Sequence, residues 1–226
     1  MKAVGGAPST PSSIAEDYVK VVYGHTEWQP TPITTSGLAL RLGLAASSVT
    51  EMVKKLSAGG LLTHVPYGAI ELTDRGRELA LRMVRRHRLI ETWLVEQHGY
   101  GWDEVHDEAE VLEHTISDRL LDSIDEQLGR PVRDPHGDPI PDADGVLHRP
   151  DAVLLGEAPD GHRGAVVRIS DRDPDLLRYL AAEGIGLDTP VAVLGRRPFG
   201  GALAVRAADA ELDLGEEVAA SVWIAR

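Results

Sequence analysis

The chain has 226 residues, enough for one large domain or two to three small ones, and its 42% hydrophobic but only 4% aromatic content means that any core rests on Leu, Val, Ile and Ala. It contains no cysteine, which excludes disulfides, thiolate metal sites and cysteine nucleophiles. The net charge of -13 is uneven: residues 1–100 carry a net of +2 and the remainder -15, so the first part can approach a polyanion while the second attracts cations.

No apolar run approaches the roughly 18 residues of a membrane span. The opening MKAVGGAPSTPSS lacks the apolar stretch of a signal peptide and reads as a disordered lead-in over 1–12, so the cytoplasm is the expected compartment. SIAEDYVKVVYGHTEWQ then shows Ile14, Tyr18, Val21 and Val22 at helical spacing. Thr34 or Thr35 caps a short second helix that Gly43 ends, and LAASSVTEMVKKLSAGG supplies a third, with Val49, Val53 and Leu56 inward. Two helices joined by the tight turn 43–46 predict a helix-turn-helix. In LLTHVPYGAIEL, apolar residues bracket Pro66-Tyr67-Gly68, a hairpin signal, so the first domain (13–73) is expected to be a winged helix.

Thr73-Asp74 open a long helix over about 73–98, with Leu79, Met83, Ile90 and Leu94 as its stripe. A fifth helix is expected over about 103–129, the two forming a helical domain over 74–130. RDPHGDPIPDADGVLHRP, rich in Pro, Gly and Asp, is read as an exposed linker over 131–150. From 151 to 226 short β-branched runs (GAVVRIS, PVAVLG, GALAVRA, EVAASVWIA) around the helix DPDLLRYLAAEG predict a small β-barrel. The fold class is therefore α+β.

DEVHDEAEVLEHTISD carries the chemistry. At about 100° per residue, His106, Glu110, Glu113 and His114 fall within an arc of about 100°, beside the apolar face of Val105, Ala109, Leu112, Ile116 and Leu120. His87 and Glu91 share a face of the preceding helix at i, i+4, inside its apolar stripe, where a His/Glu pair is costly unless satisfied. Two antiparallel helices can bring His87, Glu91 and His106 together as N/O ligands for a divalent metal; satisfied core histidines are the alternative. Catalysis is not expected: H-E-x-x-H, paired Glu-x-x-His, a Ser/His/Asp arrangement and a phosphate-cradling Gly loop are all missing. An adaptor role is disfavoured because the last part has few aromatics (Tyr179, Phe199, Trp223) for a Pro-rich groove.

The stretches AEDYVKVVY, LAASSVTEMVKKL, YGAIELTDRGRELA, MVRRHRLIETWLV, WDEVHDEAEVLEHTISDRL and DPHGDPIP resemble the diphtheria toxin repressor family of metal-dependent transcriptional repressors, in its manganese-responsive branch. The resemblance runs from about residue 13 onward, and HRLIE followed by HDEAEVLEH is its most specific part. It implies a winged-helix DNA-binding domain, a helical dimerisation and metal domain, a C-terminal SH3-like domain, and binding of double-stranded operator DNA as a homodimer with no membrane partner. It implies an ancillary metal site of His87, Glu91 and His106, completed from the third domain by Asp171 or Asp173, with Asp171 preferred. It implies a primary site of Asp17, Glu110, Glu113 and His114. Iron-responsive relatives place Met and Cys where this chain has Asp17 and Glu110, and hard oxygen in place of sulfur suits Mn²⁺. Fe²⁺ is the alternative, with Co²⁺ and Zn²⁺ as possible substitutes. The short manganese regulators use a second carboxylate one turn after the aspartate; here Lys20 stands there, so their two-metal arrangement is not carried over.

For DNA contact the third helix offers Ser47, Ser48, Thr50, Glu51, Lys54 and Lys55, and the wing offers His64 and Tyr67; short hydroxyls suit base edges and phosphates, lysines suit phosphates. A dimer should then find half-sites about one helical turn apart, or a multiple. The dimer face is expected to be Val105, Leu112, Ile116 and Leu120 with part of the long helix.

Overall fold

The computed structural model describes residues 12–64, 68–199 and 201–226. Residues 1–11 of the expected lead-in over 1–12, and the wing residue Tyr67, lie outside the described residues. The chain divides into two compact units, 1–85 and 86–226, and the division falls inside a helix.

In the first unit, α1 (Ser13–Glu27) starts at Ser12, whose hydroxyl accepts from the Ala15 amide. It buries Tyr18, Val19, Val22 and Tyr23. Thr34 caps α2 (Thr35–Leu42), accepting from the Gly37 amide, and Gly43 ends that helix in the left-handed region at φ 63°. The chain turns at once into α3 (Ala46–Ala58), whose Val49, Val53 and Leu56 face inward. Strands β1 (Leu62–His64) and β2 (Ile70–Leu72) pair antiparallel, and Ile33 joins Ile70 in a third, single bridge. The expected winged helix is present. Thr73 opens α4 (Asp74–His98) by accepting from the Gly76 amide, and Leu79 and Met83 are buried as the stripe predicts.

In the second unit the expected fifth helix is two. Helix α5 (Val105–Leu112) stops, residues 113–116 turn, and Ser117 caps α6 (Asp118–Gln127) by accepting from the Leu120 amide. The serine offers the backbone a better start than a continued helix, which the apolar period alone hides. Ile90 and Leu94 pack with Val105 and Ala109, flanked by Leu112 and Ile116. Val105, expected on the dimer face, is thus inside the chain's own core, while Leu120 and Val111 are exposed.

The remainder is a sheet of strand order β3-β8-β4-β5-β6-β7, from β3 (Ala152–Leu154), β4 (Arg163–Ile169), β5 (Pro190–Arg196), β6 (Leu203–Ala207), β7 (Ala210–Leu214) and β8 (Val222–Ala225), antiparallel throughout. β4 changes partner along its length, pairing with β5 over 163–165 and with β8 from Val166 onward. Helix α7 (Pro174–Ala182) seats Leu176, Leu177 and Leu180 in the sheet's core, and the short α8 (Glu216–Ala219) precedes β8. The α+β class holds, with a small antiparallel SH3-like sheet at the C-terminal end.

Residues 134–141 correct the expected exposed linker: Asp134, His136, Asp138 and Ile140 are all buried. Proline and glycine made this turn look like solvent-exposed chain. Its carboxylates are instead matched by two buried arginines, Arg88 and Arg168, which is what lets charged residues leave water.

Candidate metal centre and nucleic-acid interface

His87 occupies the middle of the donor cluster, on α4 in the second unit. Its Nε2 lies 2.9 Å from Glu91 Oε1 and 3.1 Å from His106 Nδ1. Its Nδ1 lies 2.5 Å from Glu113 Oε2 and 3.8 Å from Glu110 Oε1. A neutral imidazole carries one N–H, so it can answer a carboxylate on one nitrogen only. Carboxylates on both sides call for a second proton or a metal ion, which is the fit a cation site requires.

The expected ancillary residues converge. His106 Nδ1 lies 3.3 Å from Glu91 Oε1 and 3.6 Å from Asp171 Oδ2. Ligand atoms of Glu91, His106 and Asp171 all fall within 4.8 Å of one another, as do those of His87, His106 and Glu110. Asp173, the other candidate, caps α7 by accepting from the amides of Asp175 and Leu176, while the Asp171 carboxylate is the one that lies beside His106. Glu110 stands beside His106, 3.5 Å from Nε2, and so faces the ancillary group as well as its expected neighbours. His114 Nε2 is 3.5 Å from Glu113 Oε1, and the Glu113 side chain is fully buried. Asp17 stands half-buried on α1, in the first unit.

Electrostatics agree with this crowding. Burial pushes the Glu91 carboxyl up, but the charge of His87, hydrogen bonds from His106 and His87 and the charge of His136 hold it well below the ordinary range. Burial pulls the His106 imidazole down, but its hydrogen bond to Glu91 and the charges of Asp171 and Glu91 outweigh this, so its pKa is raised.

A second cluster was not anticipated: Glu91, Asp134 and His136, all buried, have ligand atoms within 4.8 Å. His136 Nε2 lies 2.7 Å from the Trp102 carbonyl, which places the N–H there. Its Nδ1, with no hydrogen-bond partner, faces Glu91 Oε2 at 3.9 Å. The D-x-H spacing in DPHGDPIP was the available signal, masked by the linker-like composition. Burial, then the charges of Asp138 and Glu91, push the Asp134 carboxyl up to about 7, against the pull of His136 and Arg88.

On the first unit, Ser47, Ser48, Glu51, Lys54 and Lys55 are exposed along α3. The Thr50 hydroxyl donates to the Ala46 carbonyl within the helix, and Lys54 pairs with Glu51 at 2.8 Å. No helix among the described residues is long and apolar enough to cross a membrane.

Three known protein families match most of the chain. Residues 12–70 match the iron dependent repressor N-terminal DNA binding domain, 73–142 the iron dependent repressor metal binding and dimerisation domain, and 153–226 the FeoA domain. The iron-dependent repressor IdeR of Mycobacterium tuberculosis is 33% identical, over 92% of this chain and 95% of its own. The diphtheria toxin repressor of Corynebacterium efficiens is 30% identical, over 80% and 83%. Among solved structures, a manganese-dependent transcriptional repressor in complex with manganese is 52% identical with a TM-score of 0.90, over 93% of this chain and 99% of that one. ScaR with bound Cd²⁺ is 33% identical with a TM-score of 0.82, over 96% and 100%.

Proposed function

We propose, for a chain that belongs to the diphtheria toxin repressor family of metal-dependent transcriptional repressors, that Mn²⁺ is its effector and that the loaded homodimer binds operator DNA to control manganese homeostasis genes. The observation that carries this reading is the donor set: imidazoles and carboxylates converge around His87 in a chain without a single thiol. Hard oxygen donors suit Mn²⁺. The 52% identity to a repressor solved with manganese supports the same ion here. Iron-dependent relatives at 33% identity keep Fe²⁺ as the second reading, with Co²⁺ and Zn²⁺ as substitutes for either.

In this reading His87, Glu91, His106 and Asp171 form the ancillary ligand set, and Asp17, Glu110, Glu113 and His114 the primary one, the latter by resemblance of the motifs. A bound divalent cation supplies the positive charge that offsets the mutual repulsion of these carboxylates. Asp17 belongs to the DNA-binding domain and the other primary ligands to the dimerisation domain, so ligand occupancy and DNA affinity are linked and the linkage is reciprocal. Ser47, Ser48, Thr50, Glu51, Lys54 and Lys55 of α3 face the major groove, and Tyr67 is a further expected DNA contact. The exposed Val111 and Leu120, with the half-buried Leu112 and Ile116, form the dimer face. The protein acts in the cytoplasm as a regulator rather than a catalyst.

The test is DNA binding by fluorescence anisotropy, on duplexes selected from a random pool, at buffered free Mn²⁺, Fe²⁺, Co²⁺ and Zn²⁺. Tightening by Mn²⁺ is expected. Activation by Fe²⁺ at its available concentration and not by Mn²⁺ selects the second reading, and metal-independent binding refutes both.

A further inference from the structure

We propose that Asp138 is a positioning residue of the ion site: through Arg88 and Arg168 it ties α4 to the end of β4, so that Asp171 is presented to His106 and Glu91. The inference rests on reading Asp171 as a ligand.

Asp138 is buried between two buried guanidinium groups. Arg168 Nε donates to its Oδ1 at 2.8 Å, and Arg88 Nη2 stands 3.5 Å from the same oxygen. Arg88 also donates to the Pro139 carbonyl at 2.6 Å, and its Nε is 3.6 Å from Asp134 Oδ2. On the helix, Arg88 follows His87 directly and precedes Glu91 by less than a turn. On the strand, Arg168 precedes Asp171 by three residues.

The turn is seated on that strand by its backbone as well. Asp134 Oδ1 accepts from the amides of His136 and Asp138, which closes the turn, and the His136 carbonyl accepts from the Ile169 amide at 2.9 Å. Gly137, at φ 89°, lies so close that a Cβ there would stand 2.0 Å from the Val167 carbonyl oxygen. Three successive β4 residues, 167–169, are therefore held by one turn whose other side is held by α4. A carboxylate placed two residues beyond such a clamp keeps a fixed distance to ligands on α4 and α5. Without the Asp138 carboxylate, Arg88 and Arg168 lose the buried anion they share, and the clamp opens.

The test is Mn²⁺ titration of the full chain by calorimetry, with free Mn²⁺ followed in parallel by electron paramagnetic resonance, on wild type, Asp138→Asn, Asp171→Asn and the double variant. Arg168→Lys, which keeps the charge and shortens the reach, serves as the milder change should Asp138→Asn not fold. Asp138→Asn, or Arg168→Lys in its place, is expected to weaken one class of sites about 10- to 100-fold and leave the other class unchanged. The double variant is expected to bind no more weakly than Asp171→Asn alone, because both act through one carboxylate. A merely structural role would instead lower the melting temperature with both classes intact. That result beside a weakened Asp171→Asn, or fully multiplicative losses in the double variant, overturns the inference alone. An unchanged Asp171→Asn titration overturns the ligand assignment and the inference together, and absence of Mn²⁺ binding in wild type overturns the proposed function as well.

Discussion

Replacing Arg88 with methionine takes a guanidinium away from two carboxylates that have almost no access to water. Asp134 and Asp138 are each 4% exposed, and Arg88 itself 8%. Removing one partner of a buried ion pair costs about 3–5 kcal/mol; Arg168 still faces Asp138, but Asp134 loses its guanidinium in a place water hardly reaches. The lost hydrogen bond to the Pro139 carbonyl lies within the same figure. At roughly 2–4 °C per kcal/mol for a chain of this size, the melting temperature should fall by about 6–20 °C.

The loss should also depend on pH with a definite sign. Asp134 is protonated more readily folded than unfolded, its carboxyl raised from 3.8 to about 7. Its contribution to stability is thus fully present below the unfolded value and is lost as pH rises through about 7. Without Arg88 its pKa rises further, so the variant goes on losing stability above the pH at which wild type has levelled off. Calorimetry of metal-free protein should therefore show a wider gap between wild type and Arg88→Met at pH 8.5 than at pH 5.5. A gap under about 1 kcal/mol, or one that narrows with rising pH, would refute the reasoning.

Mn²⁺ affinity should fall with decreasing pH, by up to about tenfold per pH unit for each ring and starting above the ordinary imidazole value of 6.5, because a ligating imidazole must give up its proton and Glu91 and Asp171 raise the His106 pKa. Titrations between pH 5.5 and 7.5 that show constant affinity would contradict this. Lys54→Ala and Lys55→Ala should each reduce the slope of log affinity against log salt by about 1 without altering sequence preference; a changed preference would mean base contacts instead. Leu120→Glu places a charge on an exposed apolar position and should give monomers in light scattering at micromolar concentration, while persistent dimers would move the interface elsewhere.

The parts of the fold that were legible are those where local chemistry and burial agree. Thr34 and Gly43 bracket α2 with a cap and a left-handed turn, and the stripe of Leu79, Met83, Ile90 and Leu94 is buried throughout α4. The break between α5 and α6 was not legible, because the helical period continues through it in the apolar residues while Ser117 diverts the backbone. The burial of 134–141 was hidden for a different reason. Its partners, Arg88 and Arg168, are remote in sequence, and nothing local in DPHGDPIP says that two arginines wait for it. Among the site residues, the i, i+4 spacing of His87 and Glu91 was sufficient to find them. The same i, i+4 spacing sets Glu110 beside His106, but spacing alone could not reveal that Glu91 offers its second oxygen to His136.

β8 lies between β3 and β4, so that Ala152 pairs with Ala225 and Val166 with Ile224. Synthesis runs from the N-terminus, and a nascent chain therefore carries β3, and β4 from Val166 onward, as unpaired edges until β8 emerges. The helices bearing His87, Glu91 and His106 rest on local contacts and can form well before that point. During this interval the strand that delivers Asp171 lacks its β8 partner over residues 166–169. An ion met on the ribosome thus encounters an unfinished ligand shell, and tight capture belongs to the finished polypeptide.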